Sequence, residues 1–408
     1  MAALLTTRLG PEAVVKILSQ IQSRRLITAP GFVPLNPAKK ILKHNVYDFV
    51  KLRFFAPRKP DKSGISLNQE AAVVFTSGTA ADPKAVLHTI ENHYYSAKGA
   101  NENIAFGPQD RWLLVLPLYH VGGLGIIFRV LLGGGALVFP SKAKEIVRSI
   151  KKHQVTHLSM VAAQLYRVFY REENFKTLRT LKAILVGGSE VPAYLIEESL
   201  KAKLPLFTTY GLTEAASQVT TLKSPDDLIA NPGSSGKILP YRQMTFSGSG
   251  EILLKGKTLG SYIEKNKLQL TLDEEGWFHT GDLGELTGEG NLIVKGRLDN
   301  MFISGGENIH PEEIEGYLLK HPNVLQAMVV PVKNAEFGSR PVAILRRRNK
   351  RITSAQEISA HLEKSLPKYK IPECFFDWPS QPDDHFKLTR RHFANLLERD
   401  PQKFSVLS

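Results

Sequence analysis

Three short apolar runs, each halted by turn residues, constrain the fold of this chain more than any other feature. Ala71-Ala72-Val73-Val74-Phe75 stops at a loop of hydroxyls and glycine. Trp112-Leu113-Leu114-Val115-Leu116 stops at Pro117, and Leu181-Lys182-Ala183-Ile184-Leu185-Val186 stops at Gly187-Gly188. Runs of this length and composition read as buried strands. Segments 141–152 and 192–203 have the length of helices, and strands alternating with helices imply a layered α/β fold. The most apolar stretch, Gly122 to Pro140, carries Arg129 near its middle and several glycines. It reads as a core helix and turn, not a membrane span.

The texture changes twice further on. From Gly248, short strands (251–254, 291–294) are separated by Gly and Asp turns, as in a small β-rich subdomain. After Arg297-Leu298-Asp299 come a helix near 311–320, a strand near 324–332 and a helix near 354–366, a small α+β domain. The expected organisation is an N-terminal α/β domain over 1–298, which includes the β-rich subdomain, and a small mobile domain over 299–408. A chain of 408 residues is long enough for both.

One cysteine, Cys374, excludes a disulfide framework and a Cys-rich metal site and fits a reducing compartment. The formal charge of +14 suits polyanionic partners. No zinc-finger spacing or aromatic RNA-binding signature accompanies it, so nucleic acid is not expected. The run Arg346-Arg347-Arg348-Asn349-Lys350-Arg351 reads as a solvated loop or a phosphate-attracting rim. Arg8 and Glu12 interrupt the N-terminal stretch, so no signal peptide is expected. A cytoplasmic protein without stable membrane insertion follows.

Several segments carry groups suited to chemistry. Thr76-Ser77-Gly78-Thr79-Ala80-Ala81-Asp82-Pro83-Lys84 follows a strand with hydroxyls, backbone N–H groups and one ammonium, a set that can cradle phosphate. It is not a Walker A loop, because no glycine precedes Lys84 and Ala85 stands where a Mg²⁺-binding hydroxyl is required. His120 follows Leu116-Pro117-Leu118-Tyr119. Tyr210-Gly211-Leu212-Thr213-Glu214 puts an aromatic, a hydroxyl and a carboxylate in one turn, able to stack on adenine and hold Mg²⁺. Asp282, in His279-Thr280-Gly281-Asp282, can accept both hydroxyls of a ribose. Gly296-Arg297-Leu298-Asp299-Asn300, Ser304-Gly305-Gly306-Glu307 and a late Lys387 complete the series. Taken singly, each also has a plain structural explanation as a turn, a core histidine or a surface lysine.

Their order and spacing together resemble the adenylate-forming superfamily of acyl-CoA synthetases, luciferases and peptide-synthetase adenylation domains, over residues 70–400. Within it the chain most resembles the 2-succinylbenzoate–CoA ligases of menaquinone or phylloquinone biosynthesis. The residues that carry this are Leu116 to Gly123, Gly296 to Glu307 and Glu336-Phe337-Gly338-Ser339-Arg340-Pro341-Val342-Ala343. The resemblance implies an AMP-forming acid–thiol ligase that uses ATP, Mg²⁺ and coenzyme A on a small-molecule acid. Another aryl- or fatty-acid ligase, or a degenerate ATP-binding scaffold, are the alternatives.

The resemblance also implies roles. Thr76, Ser77, Gly78, Thr79 and Lys84 would hold the β,γ-phosphates. Tyr210 and Gly211 would flank adenine, Thr213 would touch the α-phosphate, and Glu214 would hold Mg²⁺. Asp282 and Arg297 would bind ribose, and Asp299 would be the hinge. Lys387 would meet the attacking carboxylate, while His120, Arg129, Ser159, Gly187 and Gly188 would border the acid. Three departures stand out: Ala80-Ala81-Asp82 in the phosphate loop, Phe386 before the late lysine, and a short segment ahead of residue 76. A shortened first subdomain leaves a sheet edge for a partner to cover, so a homo-oligomer is a further expectation.

Overall fold

The computed structural model describes residues 2–3, 25–28, 45–48, 64–76, 84–140, 145–169, 175–264, 267–269, 272–348, 353–379 and 390–407. Its centre is a seven-stranded sheet in the spatial order Lys237–Ile238, Ser217–Thr221, Leu206–Leu212, Ala183–Val186, His157–Met160, Arg111–Leu113 and Ala136–Val138. From Leu206–Leu212 to Ala136–Val138 the neighbours run parallel. Ser217–Thr221 and Lys237–Ile238 add an antiparallel edge. Parallel strands covered on both faces need apolar residues at successive positions. Ala183–Val186 meets that demand, with every residue buried. Leu158, Ile184, Leu206, Leu165 and Leu195 are sealed in the same cluster. Each such side chain contributes roughly 1.5–3 kcal/mol.

A second sheet pairs Glu70–Phe75 with Ala85–Thr89, which in turn pairs with Ser261–Glu264. Helix Ile90–Asn103 starts from that sheet through a capping box. Thr89 Oγ1 accepts from the Asn92 backbone N–H at 3.3 Å, and Asn92 Oδ1 accepts from the Thr89 N–H at 2.9 Å. Such a cap stabilises by about 1 kcal/mol. The Asn92 amide also donates to the carbonyls of Lys257 and Leu259, both at 2.9 Å, tying the helix to the β-rich part. That part is an antiparallel sheet of Arg242–Phe246, Glu251–Gly256, Phe278–Leu286 and Leu292–Arg297.

The small C-terminal domain is built on Val324–Asn334, Gly338–Arg347 and Cys374–Asp377. Period-two alternation gives this sheet two apolar faces. Val329, Ala343 and Leu345 pack with Ile314, Leu318, Ile358 and Leu362. Val330, Val342 and Ile344 pack on the other side with Phe393, Leu397 and Phe404. Helix Arg390–Arg399, which supplies Phe393 and Leu397, therefore closes a face of its own domain.

The layered α/β fold with a smaller α+β domain agrees with expectation, and the boundaries differ in detail. The strand expected over 112–116, up to the turn at Pro117, is Arg111–Leu113. The Leu114 N–H still bonds the Val138 carbonyl at 2.9 Å, after which Pro117 turns the chain towards helix Val121–Gly133. The turn expected before Pro140 contains a short strand, Ala136–Val138, because it pairs with Arg111–Leu113 at the sheet edge. The helix expected over 141–152 is Ile146–His153, and residues 141–144 lie outside the described ones. Among the described residues no helix is long and apolar enough to cross a membrane.

Candidate active site

Strand Leu206–Leu212 leads out of the central sheet into the 3₁₀ turn Thr213–Ala215 and returns as Ser217–Thr221. The two strands cross closely at Gly211. A Cβ there would lie 2.0 Å from the Ser217 carbonyl oxygen, so no other residue fits. This hairpin presents Tyr210, Thr213 and Glu214 together at the C-terminal end of the parallel strands. Open α/β sheets bind ligands at that end.

Tyr210 is the first link of a polar chain. Its hydroxyl donates to Asp282 Oδ2 at 2.6 Å. Arg297 Nη1 donates to Asp282 Oδ1 at 3.0 Å. The same guanidinium grips Asp299, from Nε to Oδ1 at 2.8 Å and from Nη2 to Oδ2 at 3.2 Å. Register places Asp282 opposite Arg297 on adjacent strands, so the pair is built into the sheet. Burial raises the Asp282 carboxyl above its ordinary range, opposed by the Tyr210 hydrogen bond and Arg297. Burial, then the Asp282 charge, pushes the Tyr210 phenol well up, so it stays a donor. Burial works against the Arg297 guanidinium, but its bonds to Asp299 and Asp282 outweigh that and hold its pKa up. Asp282 has one bond on each oxygen, and a carboxylate has further lone pairs for two vicinal hydroxyls.

Glu214 belongs to a second cluster. Its Oε1 accepts from the Tyr262 hydroxyl at 2.7 Å, and its carbonyl accepts from the Gly260 N–H at 2.8 Å. Lys84 Nζ stands 5.0 Å from the centre of the Tyr262 ring. One aromatic thus carries the ammonium and the carboxylate that the sequence placed on separate motifs. Thr76 N–H bonds the Lys84 carbonyl at 2.9 Å and closes the mouth of the loop between them. Ser77, Gly78 and Thr79 lie outside the described residues, as do Ala80-Ala81-Asp82, Phe386 and Lys387. Among the described residues no group of three His, Cys, Asp or Glu side chains could hold a metal. A lone Glu214 still fits Mg²⁺, which takes one or two carboxylates and completes its shell with phosphate oxygens and water.

The third cluster lies under helix Val121–Gly133. His120 is its N-cap residue, with its ring 4.7 Å from that of Tyr119. Arg129 is 2% exposed. Its guanidinium lies 5.3 Å over the Trp112 ring, and Nη2 donates to Ser217 Oγ at 3.4 Å. The Trp112 indole N–H donates to Ser159 Oγ at 3.1 Å. Trp112 therefore brings Arg129 and Ser159 together. Burial pulls the Arg129 pKa down to about 10, which leaves it cationic at neutral pH. Gly187 and Gly188 follow the strand Ala183–Val186. Gly188 has φ +81°, which a side chain would strain.

Two members of the site left little or no mark in the sequence. Tyr262, from a distant hairpin, carries Lys84 and Glu214. His88 Nε2 bonds the Thr213 carbonyl at 2.8 Å, and burial lowers its pKa to about 4, so it is a neutral donor. A histidine in an apolar run just after the loop of hydroxyls and glycine is the only signal His88 offered. Tyr262 offered none.

Family models match two parts of the chain: AMP-binding enzyme over residues 1–258, and AMP-binding enzyme C-terminal domain over 313–378. The 2-succinylbenzoate–CoA ligase of Bacillus velezensis is 33% identical over 410 residues, covering 98% of this chain and 83% of that protein. Among solved structures, the Bacillus subtilis o-succinylbenzoate CoA synthetase (MenE) with its acyl-adenylate intermediate matches at TM-score 0.83 and 32% identity. That match covers 96% of this chain and 82% of the other. The same synthetase with ATP and magnesium matches at TM-score 0.82 and 31% identity, covering 97% and 83%.

Proposed function

We propose, from the premise that the chain belongs to the AMP-binding enzyme family, that it converts 2-succinylbenzoate to its coenzyme A thioester through an acyl-adenylate. One observation carries this: the Tyr210–Asp282–Arg297–Asp299 chain stands beside a cluster that joins Lys84 to Glu214. Groups suited to ribose hydroxyls, a triphosphate and a Mg²⁺ ion come together there, around the end of the Leu206–Thr221 hairpin.

In the first step a substrate carboxylate oxygen bonds the α-phosphorus of ATP and pyrophosphate leaves. Thr213 lies at the α-phosphate, and Lys84 and the loop from Thr76 to Thr79 take the charge of the leaving group. Glu214 would hold a Mg²⁺ ion, which when bound would supply positive charge to the phosphates. Lys387 meets the attacking carboxylate. In the second step the thiol sulfur of coenzyme A bonds the acyl carbon, the thiol proton is lost and AMP leaves. The small domain, 299–408, turns about Asp299 between the steps, and His120, Gly187 and Gly188 border the acyl group. The other carboxylate of the substrate goes to Arg129 and Ser159. A buried guanidinium is costly without an anion, and this acid supplies one. Action in the cytoplasm on a soluble acid belongs to the same proposal.

Pyrophosphate release with a panel of acids tests it. The fastest turnover is expected with 2-succinylbenzoate. A faster simple aryl or fatty acid would overturn the substrate and leave the ligase class standing. No release with any acid would overturn both.

A further inference from the structure

The site contains a second buried cation that none of these roles uses. Arg242 opens the strand Arg242–Phe246 and is 8% exposed. Its Nη1 donates to the Pro240 carbonyl at 2.8 Å, and its Nη2 to the carbonyl and Oγ of Ser96 at 3.4 and 3.2 Å. Among the described residues no carboxylate pairs with Arg242 or Arg129, and the Nε atoms of both are buried without an acceptor. Burial, and then the nearby Arg129 charge, lowers the Arg242 pKa to about 9. Two guanidiniums close enough to repel each other are costly to bury unless something compensates.

A continuous contact path joins them. Ser96, which accepts from Arg242, donates from Oγ to the Ala216 carbonyl at 2.7 Å. Ala216 and its neighbour Ser217 hold φ of 51° and 105°. Neither is glycine, and such conformations persist only where the surroundings enforce them. Ser217 Oγ is the atom that accepts from Arg129. The strained turn begins one residue after Thr213–Ala215, so it also adjoins the phosphate end of the site.

We propose that Arg242 is a positioning and specificity-determining residue for the acid. Through Ser96 it locks the Ala216–Ser217 turn that aims Arg129, and its charge adds to the positive potential that favours acids with a second carboxylate. The inference rests on the reading of Arg129 as the partner of the non-reacting carboxylate.

The test compares Arg242→Met, Arg242→Lys, Ser96→Ala and Arg129→Met. Each is assayed for pyrophosphate release with 2-succinylbenzoate and with the two monoacids that lack one or the other carboxylate. For Arg242→Met the preference in kcat/KM for the diacid over the better monoacid should fall about tenfold, with the KM for ATP changed less than about twofold. Arg242→Lys should recover part of that preference, because it restores the charge without the fork. Ser96→Ala, which leaves the charge in place, should lose about threefold. Equal losses on diacid and monoacid for Arg242→Met and Ser96→Ala would overturn the inference. Should Arg242→Met fail to fold, Ser96→Ala and Arg242→Lys decide on the same criterion. An unchanged preference in Arg129→Met would overturn the underlying reading of the pocket instead.

Discussion

The proposed nucleotide end and the proposed acid end of the site solve opposite problems. At the nucleotide end the charges of the ribose cluster already have partners: Asp282 has Tyr210 and Arg297, and Arg297 has Asp299 as well. At the acid end Arg129 and Arg242 are more deeply buried and meet only neutral acceptors among the described residues. In the proposed reading ATP brings its own cation and two ribose hydroxyls, so a prearranged neutralised cradle would bind it by adding bonds. The acid brings net negative charge, so a pocket left positive gains most from that charge. The difference predicts that mutations at the acid end act through substrate charge, and those at the nucleotide end through hydrogen-bond geometry.

The largest effect should come from the residue that would serve both ends at once. Lys387→Ala should slow acyl-adenylate formation by about 10²–10³, as loss of one positioned donor to developing charge does. It should leave the reaction of presynthesised acyl-adenylate with coenzyme A largely intact. Single-turnover measurement of each half decides this, and comparable losses in both would count against the role. Next, Arg129→Met should raise the KM for 2-succinylbenzoate by about 10² and the KM for ATP hardly at all, since it strands a carboxylate in a buried site. Equal shifts in both constants would erase the distinction between the two ends.

Asp282→Ala should act on the other side of the comparison. Charge-assisted hydrogen bonds are worth roughly 1.5–3 kcal/mol each, so ATP should bind about tenfold or more weakly. The gap between ATP and its 2′-deoxy analogue should narrow. A mutant with the parent's preference would make Asp282 a structural residue only.

The smallest effect on rate is expected at His88. Its pKa of about 4 in the fold lies below the ordinary value of 6.5. The native state therefore favours the neutral ring. Its contribution to stability is complete above pH 6.5, falls as the pH drops from 6.5 to 4, and is gone below that, a change of roughly 3 kcal/mol. His88→Gln keeps an N–H for the Thr213 carbonyl and removes that titration. Urea midpoints at pH 8 and pH 5 should therefore lie closer together than in the parent, although His93 and His157, also lowered by burial, retain part of the slope. A parallel decline would mean that His88 does not contribute.

The same comparison explains what the sequence could show. Nucleotide-end residues sit on contiguous motifs, because one hairpin and one strand pair deliver them: Tyr210 to Glu214 within a single turn, and Asp282 opposite Arg297 in register. The alternation of apolar runs and helix-length segments likewise revealed the layered core, since buried strands must be apolar. Partners made by tertiary contact were hidden. Tyr262 reaches Glu214 across 48 positions and Arg242 reaches Ser96 across 146, and no local pattern marks either. Apart from the family resemblance, Arg129 stood out because a charge inside an apolar helix is anomalous. Strand limits shifted where a turn, such as that at Pro117, took residues out of a ladder that composition alone would have continued.

The central claim is that this chain forms an acyl-adenylate from an acid with two carboxylates. Exchange of labelled pyrophosphate into ATP, measured without coenzyme A, tests it most directly. Exchange should depend on 2-succinylbenzoate, and adding coenzyme A should divert the intermediate to the thioester with release of AMP. Exchange that proceeds equally without the acid, or none with it, would contradict the account.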